Sequence, residues 1–324
     1  MAHSGTGRIF PSDAELRTEF EGGYWLEGPS QGPDGRIYFS DMTATFGSGM
    51  QGGHLLAFDP ATRETSVVLS PSSMSNGIVF DSRGRMIVAH GADFGGRCVS
   101  RIDMTTRRST ILAGLFNGRS FNSPNDVDVD AQDRIYFTDP RYLGHEPIEQ
   151  PVMGVYRINA DSTVELVIAE CSRPNGLAVS PDGRHLYVVE NNFVWFDRRT
   201  LSGFAVRHAE VQILRYDIRA DGTVGNRRIL VDYSQEGGGG PDGIEVDAAG
   251  NVFAAVLTAT PGIRVYSPEG LEIDRVNLPR RAANLTLARV PDGSVRMFIA
   301  AWTSLLSIAA HASPRRFERK DAAP

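Results

Sequence analysis

The stretch Asn175-Gly176-Leu177-Ala178-Val179-Ser180-Pro181-Asp182-Gly183-Arg184-His185-Leu186-Tyr187-Val188-Val189 has the form of one β-hairpin. An apolar, strand-like run comes first. The pair Asp182-Gly183 follows, a turn signal because glycine reaches the backbone angles a tight reversal needs. A second run, rich in β-branched and aromatic residues, completes the unit.

The same unit recurs in both directions along the chain. Towards the N-terminus, Glu27-Gly28-Pro29 leads through Pro33-Asp34-Gly35 into Arg36-Ile37-Tyr38-Phe39. The turn residue measures the register. Gly35, Gly84, Gly183 and Gly250 each lie eight residues after Glu27, Asn76, Asn175 and Asp242. Asp133 takes the turn position eight residues after Asn125, and Gly293 lies nine after Asn284. The six anchors are therefore Glu27, Asn76, Asn125, Asn175, Asp242 and Asn284, spaced by 49, 49, 50, 67 and 42 residues. Six copies of this length match the blades of a propeller, at ~40–50 residues each. The expected fold is all-β, one six-bladed β-propeller domain over residues 1–324, with blades starting near 27, 76, 125, 175, 242 and 284.

The long spacing after Asn175 calls for an insertion, placed between Asn191 and Val211. The last copy ends after Ser304-Leu305-Leu306-Ser307-Ile308 and lacks an outer strand. Part of the segment Ile9 to Glu21 is expected to supply it, because an open sheet edge invites aggregation.

Composition agrees with a soluble globular chain. Of 324 residues, 41% are hydrophobic and 22% charged, and the net charge of −6 argues against a nucleic-acid partner. The two cysteines, Cys98 and Cys171, lack metal-ligand spacing and read as free thiols. Residues 1–10 contain no apolar signal-peptide core, and no run approaches the ~20 apolar residues of a membrane helix. The expectation is a cytoplasmic protein with no membrane partner, a monomer or small homo-oligomer.

The anchor position has its own chemistry. The innermost strand of each blade lines the central channel, so residues at one register face one point on the axis. All six anchors are Glu, Asn or Asp. One Asn-Gly pair is ordinary turn chemistry. Two carboxylates and four amides on one axis are more than a turn requires, and convergent oxygens suit a hard cation. Glu27 and Asp242 balance one divalent ion, and without it their repulsion would drive one to take up a proton. Calcium fits best, since it accepts many oxygen ligands and open positions. Magnesium, manganese and ferrous iron remain open, and zinc is disfavoured because no His or Cys holds the register.

These segments resemble the gluconolactonase group related to senescence marker protein-30 and regucalcin, and more distantly the diisopropylfluorophosphatase and paraoxonase propellers. The likeness rests on Glu27-Gly28-Pro29, Asn122-Ser123-Pro124-Asn125-Asp126, Tyr136-Phe137-Thr138-Asp139-Pro140, Pro174-Asn175-Gly176-Leu177 with Ser180-Pro181-Asp182-Gly183, and Pro241-Asp242-Gly243-Ile244. The resemblance implies that Glu27, Asn175 and Asp242 are metal ligands, that Asn125 binds the metal or the substrate, and that Asp242 is the candidate general base. Asn76 and Asn284 are placed by register alone, as channel-lining residues. The animal branch carries an Arg two residues before the Asn125 position, where this chain has Ser123. Lactone hydrolysis is therefore the firmer implication and a sugar ring the weaker one.

The second strands should return to the anchor face at Asp41, His90, Asp139 and Glu190, with Val256 and Trp302 in the last two blades. That would make one side of the pocket mouth acidic and polar. His90 is a catalytic candidate by its pKa range, or a hydrogen-bonded structural residue. Asp139 and Asp41 either orient ligands or cap turns. The run Gly237 to Gly240 suggests a mobile loop or close backbone approach to a ligand. The expected reaction is opening of a small-molecule lactone by metal polarisation of the carbonyl and attack of water with Asp242 as base. The alternatives are a phosphotriesterase with the same ion and a non-catalytic calcium- or sugar-binding propeller. A Trp-Asp interaction scaffold would not need oxygens on the axis.

Overall fold

The structure, a computed structural model, describes residues 5–43, 52–191 and 210–315. Six four-stranded antiparallel sheets form the propeller blades. Blade one runs outward from the axis as Leu26–Gln31, Ile37–Asp41, His54–Asp59 and Glu64–Leu69. Blades two to five repeat the order from Ser75–Phe80, Val127–Val129, Pro174–Val179 and Gly238–Val246. Blade six begins with Asn284–Arg289 and continues through Val295–Ala301 and Ser304–Ala309.

Its fourth strand comes from the other end of the chain. Arg17–Glu21 pairs antiparallel with Ser304–Ala309, with Arg17 opposite Ser307 and Glu21 opposite Ser304. The ring thus closes as the missing edge required. The preceding segment is pinned to blade five, where Asp274 accepts the Ile9 and Phe10 amides at 2.7 and 3.0 Å.

Each strand's alternation directs one set of side chains into a space between neighbouring blades. Leu26, Ile37 and Phe39 of blade one pack with Ala288, Phe298 and Leu305 of blade six. Ile87 and Val99 of blade two pack with Val127, Ile135 and Phe137 of blade three. Each such buried apolar side chain contributes roughly 1.5–3 kcal/mol. Inner strands are mostly buried, whereas the outer strand Glu64–Leu69 is largely exposed. This gradient holds the axis most rigidly. Cys98 and Cys171 are buried free thiols. Most of the insertion between Asn191 and Val211 lies outside the described residues. No described helix is long and apolar enough to cross a membrane.

Candidate active site

Five of the anchors sit at or just before the start of an innermost strand, and Asp242 sits in the middle of Gly238–Val246. Five of them, Glu27, Asn76, Asn125, Asn175 and Asp242, line one cavity at that end of the channel. Asn284 lines the cavity on the other side of this ring, together with Asp126. The anchor ring is thus a floor between two compartments. The distal one is larger, about 1080 Å³, but it is an open mouth rimmed by hairpin-turn residues such as Pro33, Asp34 and Gly35. The oxygen-rich floor faces the smaller, proximal one.

Four of the six anchors are followed by glycine, which proves to be a packing requirement more than a turn; Asn125 is followed by Asp126 and Asn284 by Leu285. A Cβ at Gly28 would stand 2.2 Å from the Asn76 carbonyl oxygen, and at Gly77 2.9 Å from that of Asn125. At Gly176 it would stand 2.4 Å from the Asp242 carbonyl oxygen. Successive inner strands cross too closely at the axis for any side chain there. Gly77 also donates its N–H to the Asn125 carbonyl at 2.9 Å. Gly243 donates likewise to the Ala283 carbonyl at 2.7 Å, so Asn76 and Asp242 are tied to the next blade.

Blade three breaks the pattern with Asp126 at the glycine position. Its carboxylate accepts the Val127 amide at 3.0 Å and, from blade four, the Leu177 amide at 3.2 Å. Asp128 repeats the move on Val179 at 2.7 Å. Asn284 holds its side-chain oxygen on the Leu285 amide at 2.8 Å. Its side chain hydrogen-bonds both Glu27 and Asp126.

Burial first, then the charges of Asp242 and Asp126, push the Glu27 carboxyl well above the usual range. Burial, then Asp126, raises Asp242 to about 7, while an Asn175 hydrogen bond opposes the rise. Asp126 is raised to about 7 chiefly by burial. Asn76 Oδ1 is buried with no hydrogen-bond partner. Crowded carboxylates and an unspent amide oxygen form a donor set that suits a hard divalent cation. The residues present fit such an ion.

The second-strand ends do something else. Asp139 accepts the Asn122 and Ser123 amides at 2.8 and 2.7 Å. Asp41 accepts those of Tyr24 and Trp25 at 2.8 and 2.9 Å. Glu190 accepts those of Ser172 and Arg173, both at 2.7 Å. Each carboxylate clamps the two residues just upstream of its blade's inner strand, and so orients the anchor without lining the cavity. His90 occupies the same place in blade two, with Nδ1 3.0 Å from the Ser72 carbonyl and Nε2 2.7 Å from Ser100 Oγ. Burial lowers its pKa. The acidic mouth expected on this side is therefore absent, because these carboxylates are consumed by backbone N–H groups. The expected mobile loop at Gly237 to Gly240 is largely strand. A Cβ at Gly240 would collide with Val211, which explains the residue without a ligand.

Sequence reasoning missed Asp126, Tyr142 and Arg173. Asp126 was visible as the polar one of two exceptions to the anchor-glycine pattern, the other being Leu285. Tyr142 comes from the connection after Asp139; its hydroxyl donates to the Asn191 carbonyl at 2.9 Å, and it reaches Asn175 and the field of Asp242. No local pattern marks it. Arg173 stands two residues before Asn175. Apart from Asn191 and Arg281 the cavity wall is otherwise apolar, built from Met42, Leu143, Leu257 and a stacked pair, Trp25 and Trp302, with ring centroids 5.4 Å apart.

The SMP-30/Gluconolactonase/LRE-like family model matches residues 33–300. A gluconolactonase of Zymomonas mobilis is 33% identical over 206 residues, which is 60% of this chain and 52% of that protein. The pentonolactonase of Haloferax volcanii is 27% identical over 82% of this chain and 78% of its own. A solved gluconolactonase from Xanthomonas campestris superposes with a TM-score of 0.76 at 25% identity, covering 96% of this chain and 93% of that one. The chain belongs to the SMP-30/gluconolactonase/LRE-like family.

Proposed function

We propose that this protein hydrolyses small lactones and that it depends on one divalent cation, calcium in the first instance, held by Glu27, Asn125, Asn175 and Asp242. The observation that supports this is the convergence of these four side chains on one cavity floor, with Glu27 and Asp242 both buried and the Asp242 charge raising the proton affinity of Glu27. The relatives support the reaction class. Their names share lactone opening, while the ring differs between a gluconolactone and a pentonolactone.

A cation bound there supplies electrophilic polarisation of a carbonyl oxygen. Asp242 takes the proton from the attacking water at its carboxylate. In the metal-free protein burial raises that carboxyl to about 7, so ion binding and proton release are linked at this residue. Asn175 hydrogen-bonds Asp242 and fixes its orientation. Asn284 spaces Glu27 from Asp126, so that both stay in place. The apolar walls from Trp25, Met42 and Leu257 restrict water around the ring.

The deciding experiment records acid release in weak buffer from metal-stripped protein with a panel of aliphatic and sugar lactones, with and without added divalent ions. Release that requires an ion supports the reading and identifies both ring and ion. Folded, metal-loaded protein that opens none of the lactones overturns it.

A further inference from the structure

Arg173 is 2% exposed yet lines the same cavity as Glu27, Asn175 and Asp242. Its guanidinium lies over the Tyr142 ring, 5.1 Å from the centroid. Its Nε is buried with no hydrogen-bond partner. Glu190, the carboxylate nearest in sequence logic, is occupied by the backbone amides of Ser172 and of Arg173 itself. A buried guanidinium whose face rests on an aromatic ring and whose Nε–H has no acceptor, with the charge of nearby Glu190 already committed to backbone amides, is costly unless a ligand completes it.

We propose that Arg173 binds a carboxylate carried by the lactone, so that the preferred substrate is an acid lactone with one negative charge and not a neutral ring. A guanidinium matches a carboxylate with two parallel hydrogen bonds, a geometry that lysine does not reproduce. Tyr142 holds the guanidinium by its ring while its own hydroxyl is fixed on Asn191. Arg173 therefore sets specificity and takes no part in bond breaking. In blade three the corresponding position, two residues before the anchor, holds Ser123, whose hydroxyl accepts the Ala92 amide at 2.9 Å. Of these two matching positions only that of blade four carries a cation, and Arg281, from the connection before Asn284, also lines the cavity. This inference rests on the lactonase reading for the ring, but the carboxylate site is testable without turnover.

The calcium-loaded protein is assayed with γ-butyrolactone and with the same ring carrying a carboxylate at the γ carbon. Wild type is expected to favour the acid lactone in kcat/KM by about 100-fold, the scale of a hydrogen-bonded charge pair. Arg173→Gln should collapse that ratio towards one, through KM more than kcat, and Arg173→Lys should restore only part of it. Calorimetry with the open-chain compounds 2-hydroxyglutarate and 4-hydroxybutyrate reads the same site without catalysis. Tighter binding of the dicarboxylate that disappears in Arg173→Gln supports the site even if neither lactone is opened, an outcome that removes only the lactonase reading. Equal affinity of wild type for both acids, or a substitution at Arg173 that weakens both equally in folded protein, overturns the proposal.

Discussion

Gly176 lies so close to Asp242 of the next blade that a Cβ would stand 2.4 Å from the Asp242 carbonyl oxygen and 2.8 Å from the Gly243 Cα. Backbone packing against a small residue therefore positions the proposed base. Both partners are backbone, so neither yields by a side-chain rotation.

Gly176→Ala is expected to destabilise the fold by roughly 1–3 kcal/mol, the scale of overpacking, and to weaken calcium binding by displacing Asp242. Gly183→Ala is the control. Gly183 has φ of 68° but nothing within 4 Å of a Cβ. That substitution should cost about 1 kcal/mol of backbone strain and leave calcium affinity intact. Urea melts with calcium titrations separate the two, and equal calcium affinity in both variants would contradict the crossing-strand account.

Asp242→Asn should keep the fold and lose turnover by about 10²–10⁴-fold, the usual contribution of a positioned base. Side-chain shape is preserved, so the melting temperature of the metal-free protein should hold or rise as one buried acid disappears. Full activity in this variant would remove Asp242 from the base role.

Asp139 carries a pH signature. Burial raises its pKa from 3.8 to about 7 against the opposing Asn122 and Ser123 amides. The folded state therefore binds more protons than the unfolded state between those values, and stability from this group falls as pH rises from about 4 through about 7. Asp139→Asn should flatten that part of the stability profile. Urea midpoints at pH 5 and pH 8 are the measurement, and an unchanged difference between them would show that Asp139 is already ionised at pH 5.

Arg315 closes the opposite end of the channel. Its guanidinium bonds Asp128 and the Val179 carbonyl, bridging blades three and four near Glu245. Breaking a buried pair from one side costs about 3–5 kcal/mol. Asp128 keeps the Val129 and Val179 amides, so Arg315→Ala is expected to cost somewhat less than that. Activity per folded molecule should stay at the wild-type level, because this bridge lies on the distal side of the anchor floor. A melt and an assay on the same sample test both statements.

Much of this was legible before any coordinates. Period-two alternation and the spacing of Asx anchors are short-range properties of the chain. A strand's face is set by its own residues and a hairpin by its own turn, so six copies and the need for a closing strand followed from residues such as Asn175, Gly183 and Arg17. The same register brought five of the six anchors to one cavity.

What only the tertiary structure decided depends on how blades cross. Asn284 shares the register of Asn76, yet it turns to the distal side, because its amide is drawn between Glu27 and Asp126. Asp139 and Glu190 look like free acids in sequence and are spent on amides made available by a neighbouring loop. Tyr142 lies in a connection without a repeat, Arg173 at a repeat position whose residue type varies, and their meeting over the cavity is set by the packing of blades three and four. Local periodicity specifies strands and register. The direction a side chain takes at the axis is a many-body outcome of packing and hydrogen-bond satisfaction, which no single repeat encodes.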